Sequence, residues 1–150
     1  MLNTVIALVS VLLGSITTGV IQHYLGRAAR AEARDNHRRD RELEAVTAFA
    51  AGVAGHRRAM AVREDLRLSG ADPEATGAAR TESHATRSAI EAPRVQVSIL
   101  VPSLAAAAEE AIRATTDLRG ATDQQTLNTL RESALSATDR FIAAAARHFA

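Results

Sequence analysis

The first 26 residues form the longest stretch of the chain without Asp, Glu, Lys or Arg, and most of them are apolar. A helix rises about 1.5 Å per residue, so some 20 residues cross a hydrocarbon core of ~30 Å. Backbone surrounded by lipid must satisfy its own hydrogen bonds, which a helix does. The pattern therefore predicts a single transmembrane anchor over residues 1–26. A cleaved signal peptide and a buried helix of a soluble fold are the alternatives.

The charges on either side of this segment predict its orientation. No basic residue precedes it, whereas six arginines follow within about fifteen residues: Arg27, Arg30, Arg34, Arg38, Arg39 and Arg41. Because basic residues resist translocation, we expect a single-pass protein of the cytoplasmic membrane, with its N-terminus outside and its C-terminal part in the cytoplasm.

Small residues within the anchor are candidates for self-association. Ser10, Gly14 and Thr18 are spaced by four, so they lie on one helix face. Such spacing lets two membrane helices approach closely. Small residues are also common in spans that do not associate, so this alternative stays open.

Residues 27–68 are predicted to continue the anchor as one long helix. Its first part, residues 27–42, is rich in arginine and would either contact anionic lipid or be solvated. Beyond it, apolar residues recur at steps of three and four, which is typical of a bundle or coiled-coil seam. The predicted seam is Leu43, Val46, Ala50, Val53, Arg57 and Met60, with Phe49 beside it. Ser69-Gly70 should end this helix, and Asp72-Pro73 should begin the next.

Three further helices are predicted: one over residues 74–91, one over residues 103–120, and a last helix that begins at the capping box of Thr122. The first should pack through Ala75, Ala78, Ala79, Ala85, Ala89 and Ile90; the second through Leu104, Ala108, Ala111, Ile112, Thr115 and Leu118. The last should pack through Leu127, Leu130, Ala134, Ala137, Phe141 and Ala145, with Ile142 and Phe149 beside them. Thr122 and Gln125 form a capping-box signature at its start. The expected fold is all-α: an anchor that continues into a long helix, and an antiparallel cytoplasmic bundle of about four helices over residues 43–150.

Residues 94–102 do not fit this pattern cleanly. Val95, Val97, Ile99 and Val101 alternate with polar or small positions, as in a strand. No second run of this kind exists to pair with, although two chains could pair with each other. We expect the segment to be helical or irregular, buried, and terminated at Pro102.

Composition excludes several kinds of chemistry. The formal net charge of the 150 residues is +1, which gives no overall electrostatic case for nucleic acid. The chain contains no cysteine, so disulfides, thiol catalysis and cysteine-based zinc sites are absent. All basic residues are arginines, as expected from a GC-rich genome such as that of an actinobacterium.

No motif for catalysis or for a cofactor is found. The five histidines are scattered without metal-ligand spacing, and the glycines after the anchor do not form a phosphate-binding loop. We therefore predict no enzyme, cofactor, metal or small-molecule substrate. The candidate interaction residues are Arg57, Arg58, Arg63 and Arg67, which could bind phosphate or an acidic partner. Alternatively, they pair internally with Glu64, Asp65 or a carboxylate on a neighbouring helix.

Three segments carry a family resemblance: HRRAMAVRED at 56–65, HATRSAIEAP at 84–93 and LRGA at 118–121. In these segments, and in an anchor followed by an Arg/Ala-rich region, the chain resembles KilB-type proteins of streptomycete conjugative plasmids. The resemblance implies a membrane-associated protein that assists the spread of plasmid DNA between neighbouring mycelial compartments. It assigns no role to any individual residue.

Three functions follow as hypotheses. The first is a non-enzymatic, membrane-anchored interaction protein whose bundle binds protein partners or a second copy of itself. The second is a membrane-tethered DNA-binding module that uses the arginines between Arg57 and Arg67, whose affinity should fall steeply with salt. The third is a small pore-forming or lysis-type membrane protein, which the large patterned bundle argues against.

Overall fold

The computed structural model describes the backbone of residues 2–150 and the side chains of residues 32–150. Four α-helices follow in order: α1 Leu2–Leu68, α2 Pro73–Leu100, α3 Ala105–Thr116 and α4 Gln124–Phe149, with 3₁₀ turns at Pro102–Leu104 and Asp117–Gly120. No strand occurs in the described backbone, so the predicted all-α fold is confirmed. Contacts divide the chain into two units, residues 1–40 and residues 41–150.

Within the described residues, no helix is long and apolar enough to cross a bilayer. The predicted anchor at residues 1–26, including Ser10, Gly14 and Thr18, lies outside the described side chains.

The junction between α1 and α2 follows the local sequence. Helix α1 ends at Leu68, and Gly70 adopts a φ of 67°, which favours glycine because it has no Cβ. The amide of Ala71 donates to the carbonyl of Leu66 over 3.0 Å and closes the cap. Asp72 then accepts from the amides of the next turn, and Pro73 is the first residue of α2. The predicted end of α1 and start of α2 are confirmed.

Helix α1 contributes a stripe to the core of the second unit, displaced from the predicted seam. Val46, Val53, Met60 and Phe49 are buried as predicted. Leu43 is 52% exposed, so its assignment to the core is wrong. The stripe that points inward is centred instead on Ala45, Val46, Phe49, Val53, His56 and Met60. This face of α1 contacts α2 through His56 and Thr86, and α4 through Phe49 and Phe141.

Helix α2 is longer than predicted and uses a different face. It continues through Pro93 to Leu100, so a strand at 94–102 is wrong and the helical interpretation is confirmed. Residues four apart share a helix face, which is why Val97 and Val101 are both buried whereas Val95 and Ile99 are both exposed. The expectation that the whole segment is buried is therefore wrong, because only Val97 and Val101 of its nine residues are buried and five are exposed.

The packing face of α2 also differs in its first half. Ser83 and Ile90 are buried, but the predicted contact residues Ala78, Ala85 and Ala89 are exposed. Alanine is compatible with either environment, so the pattern of alanines did not identify the inward face.

Helices α3 and α4 pack as predicted, with two corrections. The predicted inward residues of α3 are buried or partly buried, and the ring of Phe141 on α4 lies 4.7 Å from that of Phe49 on α1. Ile142 is exposed rather than packed. The N-cap of α4 is Asp123, whose carboxylate accepts from the Thr126 amide at 2.7 Å, and not Thr122. A carboxylate is the better acceptor for a helix N-terminus and therefore takes the position.

Candidate interaction site

The four candidate arginines separate into two pairs. Arg63 and Arg67 converge on the carboxylate of Glu64, which is only 1% exposed. The Nε atoms of the two arginines lie 3.5 Å and 2.6 Å, respectively, from its two oxygens. Arg67 also donates to the carbonyl oxygen of Ala121, before the start of α4. Both arginines are therefore engaged by groups of the same chain, although the side chain of Arg67 remains partly exposed.

The buried carboxylate explains this arrangement. Removing a carboxylate from water is expensive unless charged groups replace the water. Arg67 donates a hydrogen bond to the carboxylate of Glu64, and Arg63 places a second positive charge beside it. Beside them, the side-chain amide of Gln124 donates to Asp65 over 2.9 Å, which links α1 to the start of α4. This end of the bundle is therefore held by polar contacts with fixed geometry.

Arg57 and Arg58 lie at a different place, on an open groove between α1 and α4. The groove has a volume of about 350 Å³ and is lined by Ala54, Arg57, Arg58, Ala61, Arg131, Glu132 and Leu135. Arg57 donates from Nη1 to the hydroxyl of Thr138 over 3.3 Å, and Arg58 is exposed. Small residues of α1 and the half-exposed Leu135 of α4 give the groove an apolar floor.

Arg131 is the residue of this groove that sequence reasoning missed. Its Nη2 atom donates to the carbonyl of Ala61 over 3.3 Å, which fixes the guanidinium beside α1. It is 73 positions after Arg58, and no local motif surrounds it. Only the antiparallel packing of α4 against α1 brings it to the groove.

The groove carries a positive charge excess. Three guanidinium groups face it, against the single carboxylate of Glu132. Within the part of the chain whose side chains are described, the salt bridges do not involve Arg57, Arg58 or Arg131. A guanidinium presents a planar fork of donors that matches a carboxylate or phosphate. The groove can therefore bind an anionic group next to an apolar one.

A second polar feature, His56, lies in the core and was not singled out from the sequence. It is 3% exposed, and its Nδ1 atom lies 3.0 Å from the hydroxyl of Thr86 on α2. Burial, together with the nearby charges of Arg87 and Arg119, lowers its pKa from 6.5 to about 4. The imidazole is therefore neutral at physiological pH. Its burial and hydrogen bond indicate a structural role in joining α1 to α2.

Metal binding has no counterpart in the described side chains. Among residues 32–150, no three His, Asp or Glu side chains lie close enough to hold an ion.

Comparison with known proteins gives two matches. The family model for the KilB plasmid transfer protein matches residues 43–149, which include the whole second unit except residues 41, 42 and 150. Protein KilB of Streptomyces lividans is 55% identical over 149 residues, which cover 99% of each chain. No solved structure matches the chain.

Proposed function

Because the chain belongs to the KilB plasmid transfer protein family, we propose that it assists plasmid spread as a membrane-anchored docking protein. In this proposal, residues 1–26 hold the chain in the cytoplasmic membrane with the N-terminus outside. The bundle lies in the cytoplasm and binds a partner protein of the transfer apparatus through the groove between α1 and α4. The protein itself performs no chemistry.

The observation that carries the proposal is the combination of charge and apolar surface in this groove. Arg57 and Arg131 are held at the groove by hydrogen bonds, Arg58 is exposed beside them, and the described salt bridges do not involve any of the three. Ala54 and Leu135 form part of the floor of the groove. A partner helix with one apolar face and flanking acidic residues matches both properties. Arginines of this kind add specificity because a wrong partner leaves them without an anion.

Charge reversal in the groove tests this docking. Arg58→Glu and Arg131→Glu, each introduced into the gene on a transferring plasmid, should reduce plasmid spread towards the level of a deletion. Arg113→Glu is the matched control, because Arg113 is an exposed arginine on α3, away from the groove. All three proteins should retain their helical content and melting temperature. If the groove variants spread the plasmid as well as the control does, docking through this groove is refuted.

The anchor has a separate test. Membranes that contain the 150-residue chain, or a version that starts at Arg27, are extracted with alkaline carbonate. We expect the longer chain to stay in the membrane and the shorter one to be released, because only the former has an uncharged segment of spanning length. Release of both proteins would refute the membrane anchor. Docking through the groove would still be tested independently by the Arg58→Glu and Arg131→Glu variants.

DNA binding is the second candidate, favoured by the same excess of arginine. Arg63 and Arg67 are occupied by Glu64, so the module would consist of Arg57, Arg58 and Arg131 rather than the four arginines between 57 and 67. Binding to phosphates should retard a DNA duplex at ~50 mM salt, weaken steeply as salt rises, and be lost in Arg58→Glu. Absence of retardation at ~50 mM salt would exclude this function.

A further inference from the structure

Helix α2 has a second stripe of uncharged residues on the side away from the core. Seven positions at alternating steps of three and four carry only apolar or hydroxyl side chains, and all seven are exposed: Ala78, Thr81, Ala85, Ser88, Ala92, Val95 and Ile99. The steps are those of the a and d positions of a coiled coil. The core-facing residues Ser83, Ile90 and Val97 lie at the f positions, opposite this stripe. We refer to the seven residues as the α2 outer seam.

The apolar residues of the seam are too exposed to be explained by the fold of one chain. Val95 is 53% exposed and Ile99 is 70% exposed, although both are β-branched residues that add little to a solvated helix. Neither is needed for the packing of α2, because Val97 and Val101 already occupy the core at this level. Repeated a and d positions without a single charge are typical of a helix that packs against another helix.

The polar atoms of the seam do not oppose burial. The hydroxyl of Thr81 donates to the carbonyl of Gly77, and that of Ser88 donates to the carbonyl of His84, each over 3.2 Å. Both donors are therefore satisfied within α2 and lose no partner when water is displaced. Covering the seam with a second helix removes apolar surface from water without leaving a hydroxyl donor unpaired.

We propose that the seam binds α2 of a second copy of the chain, in antiparallel orientation. Side-chain size increases along the seam, from alanine and threonine at its start to Val95 and Ile99 at its end. In an antiparallel pair centred near residue 90, Ile99 of each copy faces Thr81 of the other, and Val95 faces Ala85. Each large residue then fills the space beside a small one, and Ser88 faces Ala92 in the middle. Such an interface is isologous, because both copies contribute the same residues.

The charges beside the seam agree with self-pairing. Helix α2 carries three arginines and three glutamates, so two copies meet without a net repulsion. In the antiparallel pair, Glu91 of each copy lies beside Glu91 of the other at the two-fold axis. Each of these carboxylates is already paired with Arg94 of its own chain at 3.3 Å, and Arg87 of both copies lies along the same edge, so the two negative charges are flanked by positive ones. In a parallel pair, Ile99 would instead face Ile99 and Ala78 would face Ala78. The two helices would then be pushed apart at the Ile99 end and leave a gap at the Ala78 end.

The length of the seam sets the expected strength. From Thr81 to Ile99 the helix is about 27 Å long, and a helix pair of this length buries on the order of 1,000 Å². This area is at the lower end of specific interfaces, so we expect a reversible dimer with a dissociation constant in the micromolar range. The interface uses only α2 and therefore leaves the groove between α1 and α4 free.

Disulfide cross-linking tests the pairing and its orientation. The chain has no cysteine of its own, so Ala85→Cys and Val95→Cys each introduce a single thiol. The two variants, one carrying a tag that shifts its mobility, are mixed at tens of micromolar in mild detergent and gently oxidised. In the antiparallel pair the two thiols face each other, and the mixed dimer should form. Each variant alone should not cross-link, because its two thiols are then about 15 Å apart along the axis.

The controls make other outcomes decisive. Leu135→Cys has a thiol at an exposed apolar site on α4 and should not cross-link with Ala85→Cys. Adding Ile99→Glu to both partners should weaken dimerisation at least about tenfold, because a carboxylate would then be buried in the seam. At protein concentrations well below the dissociation constant, where both proteins are monomeric, the melting temperature should not change, since Ile99 is mostly exposed within one chain. Cross-linking of each variant with itself would indicate parallel pairing. A yield of mixed dimer no higher than that of the Leu135→Cys control would indicate that the seam is not an interface. Either result overturns the proposal.

Discussion

Protonation of His56 should destabilise the bundle as the pH falls below neutrality. The imidazole is buried between α1 and α2, hydrogen-bonded to Thr86, and lies near Arg87 and Arg119. A small cavity of about 50 Å³ beside it is also lined by Glu91 and Arg94. Burial, followed by the two arginines, lowers the pKa of the folded protein to about 4 from an ordinary value of 6.5.

The sign and size of the effect follow from this difference. The unfolded chain binds a proton below pH 6.5, whereas the folded chain does so only near pH 4, so acid favours the unfolded state. The contribution of His56 to stability is complete above pH 6.5 and is lost as the pH falls towards 4. The loss is about 2 kcal/mol at pH 5 and about 3 kcal/mol once the folded state is also protonated.

Urea unfolding between pH 7.5 and 4.5 measures this effect. Other groups also titrate in this range, so the relevant quantity is the difference between the unmodified protein and His56→Gln, whose amide does not titrate. This difference should change by about 2 kcal/mol between pH 7.5 and pH 5. His84→Gln is the matched control, because His84 is exposed on α2. Parallel stability curves for the unmodified protein and His56→Gln would refute the assigned pKa.

Five substitutions test the packing and the helix ends. Phe49→Ala should lower the free energy of unfolding by about 3–5 kcal/mol, because Phe49 is fully buried. Leu43→Ala should lower it by less than about 1 kcal/mol, because Leu43 is half exposed. Urea unfolding at pH 7.5 measures both values. Gly70→Ala should cost about 1 kcal/mol in the same assay, since φ is positive there, and an unchanged value would contradict the assigned turn. Asp123→Ala should lower the melting temperature, followed by circular dichroism, more than Thr122→Ala does, because the carboxylate of Asp123 caps α4; the reverse order would restore Thr122 as the cap.

The sequence by itself determined the features that depend on local chemistry. The end of α1, the turn at Gly70 and the start of α2 at Asp72-Pro73 each result from the conformational preference of one or two residues. The inward face of α4 also followed from the sequence, because large apolar residues such as Leu127 and Phe141 recur there at helical spacing.

The tertiary structure decided what depends on contacts between distant residues. From local preferences, α2 was predicted to end near residue 91, before Pro93. It continues to Leu100 because Val97 and Val101 are buried in the core, and this burial stabilises the extra turns. The face of α1 that is buried, with Ala45 and His56 inside and Leu43 half exposed, depends on the contacts that α2 and α4 make with α1.

The candidate site divides in the same way. From the sequence, Arg57 and Arg58 were recognisable as part of a local cluster of charge, but their separation from the pair that holds Glu64 was not. Arg131 could not be predicted, because only the antiparallel packing of α4 on α1 places it in the groove. Local patterns specify what each helix can present, whereas packing of the whole bundle selects which of its faces is buried and which remains available to a partner.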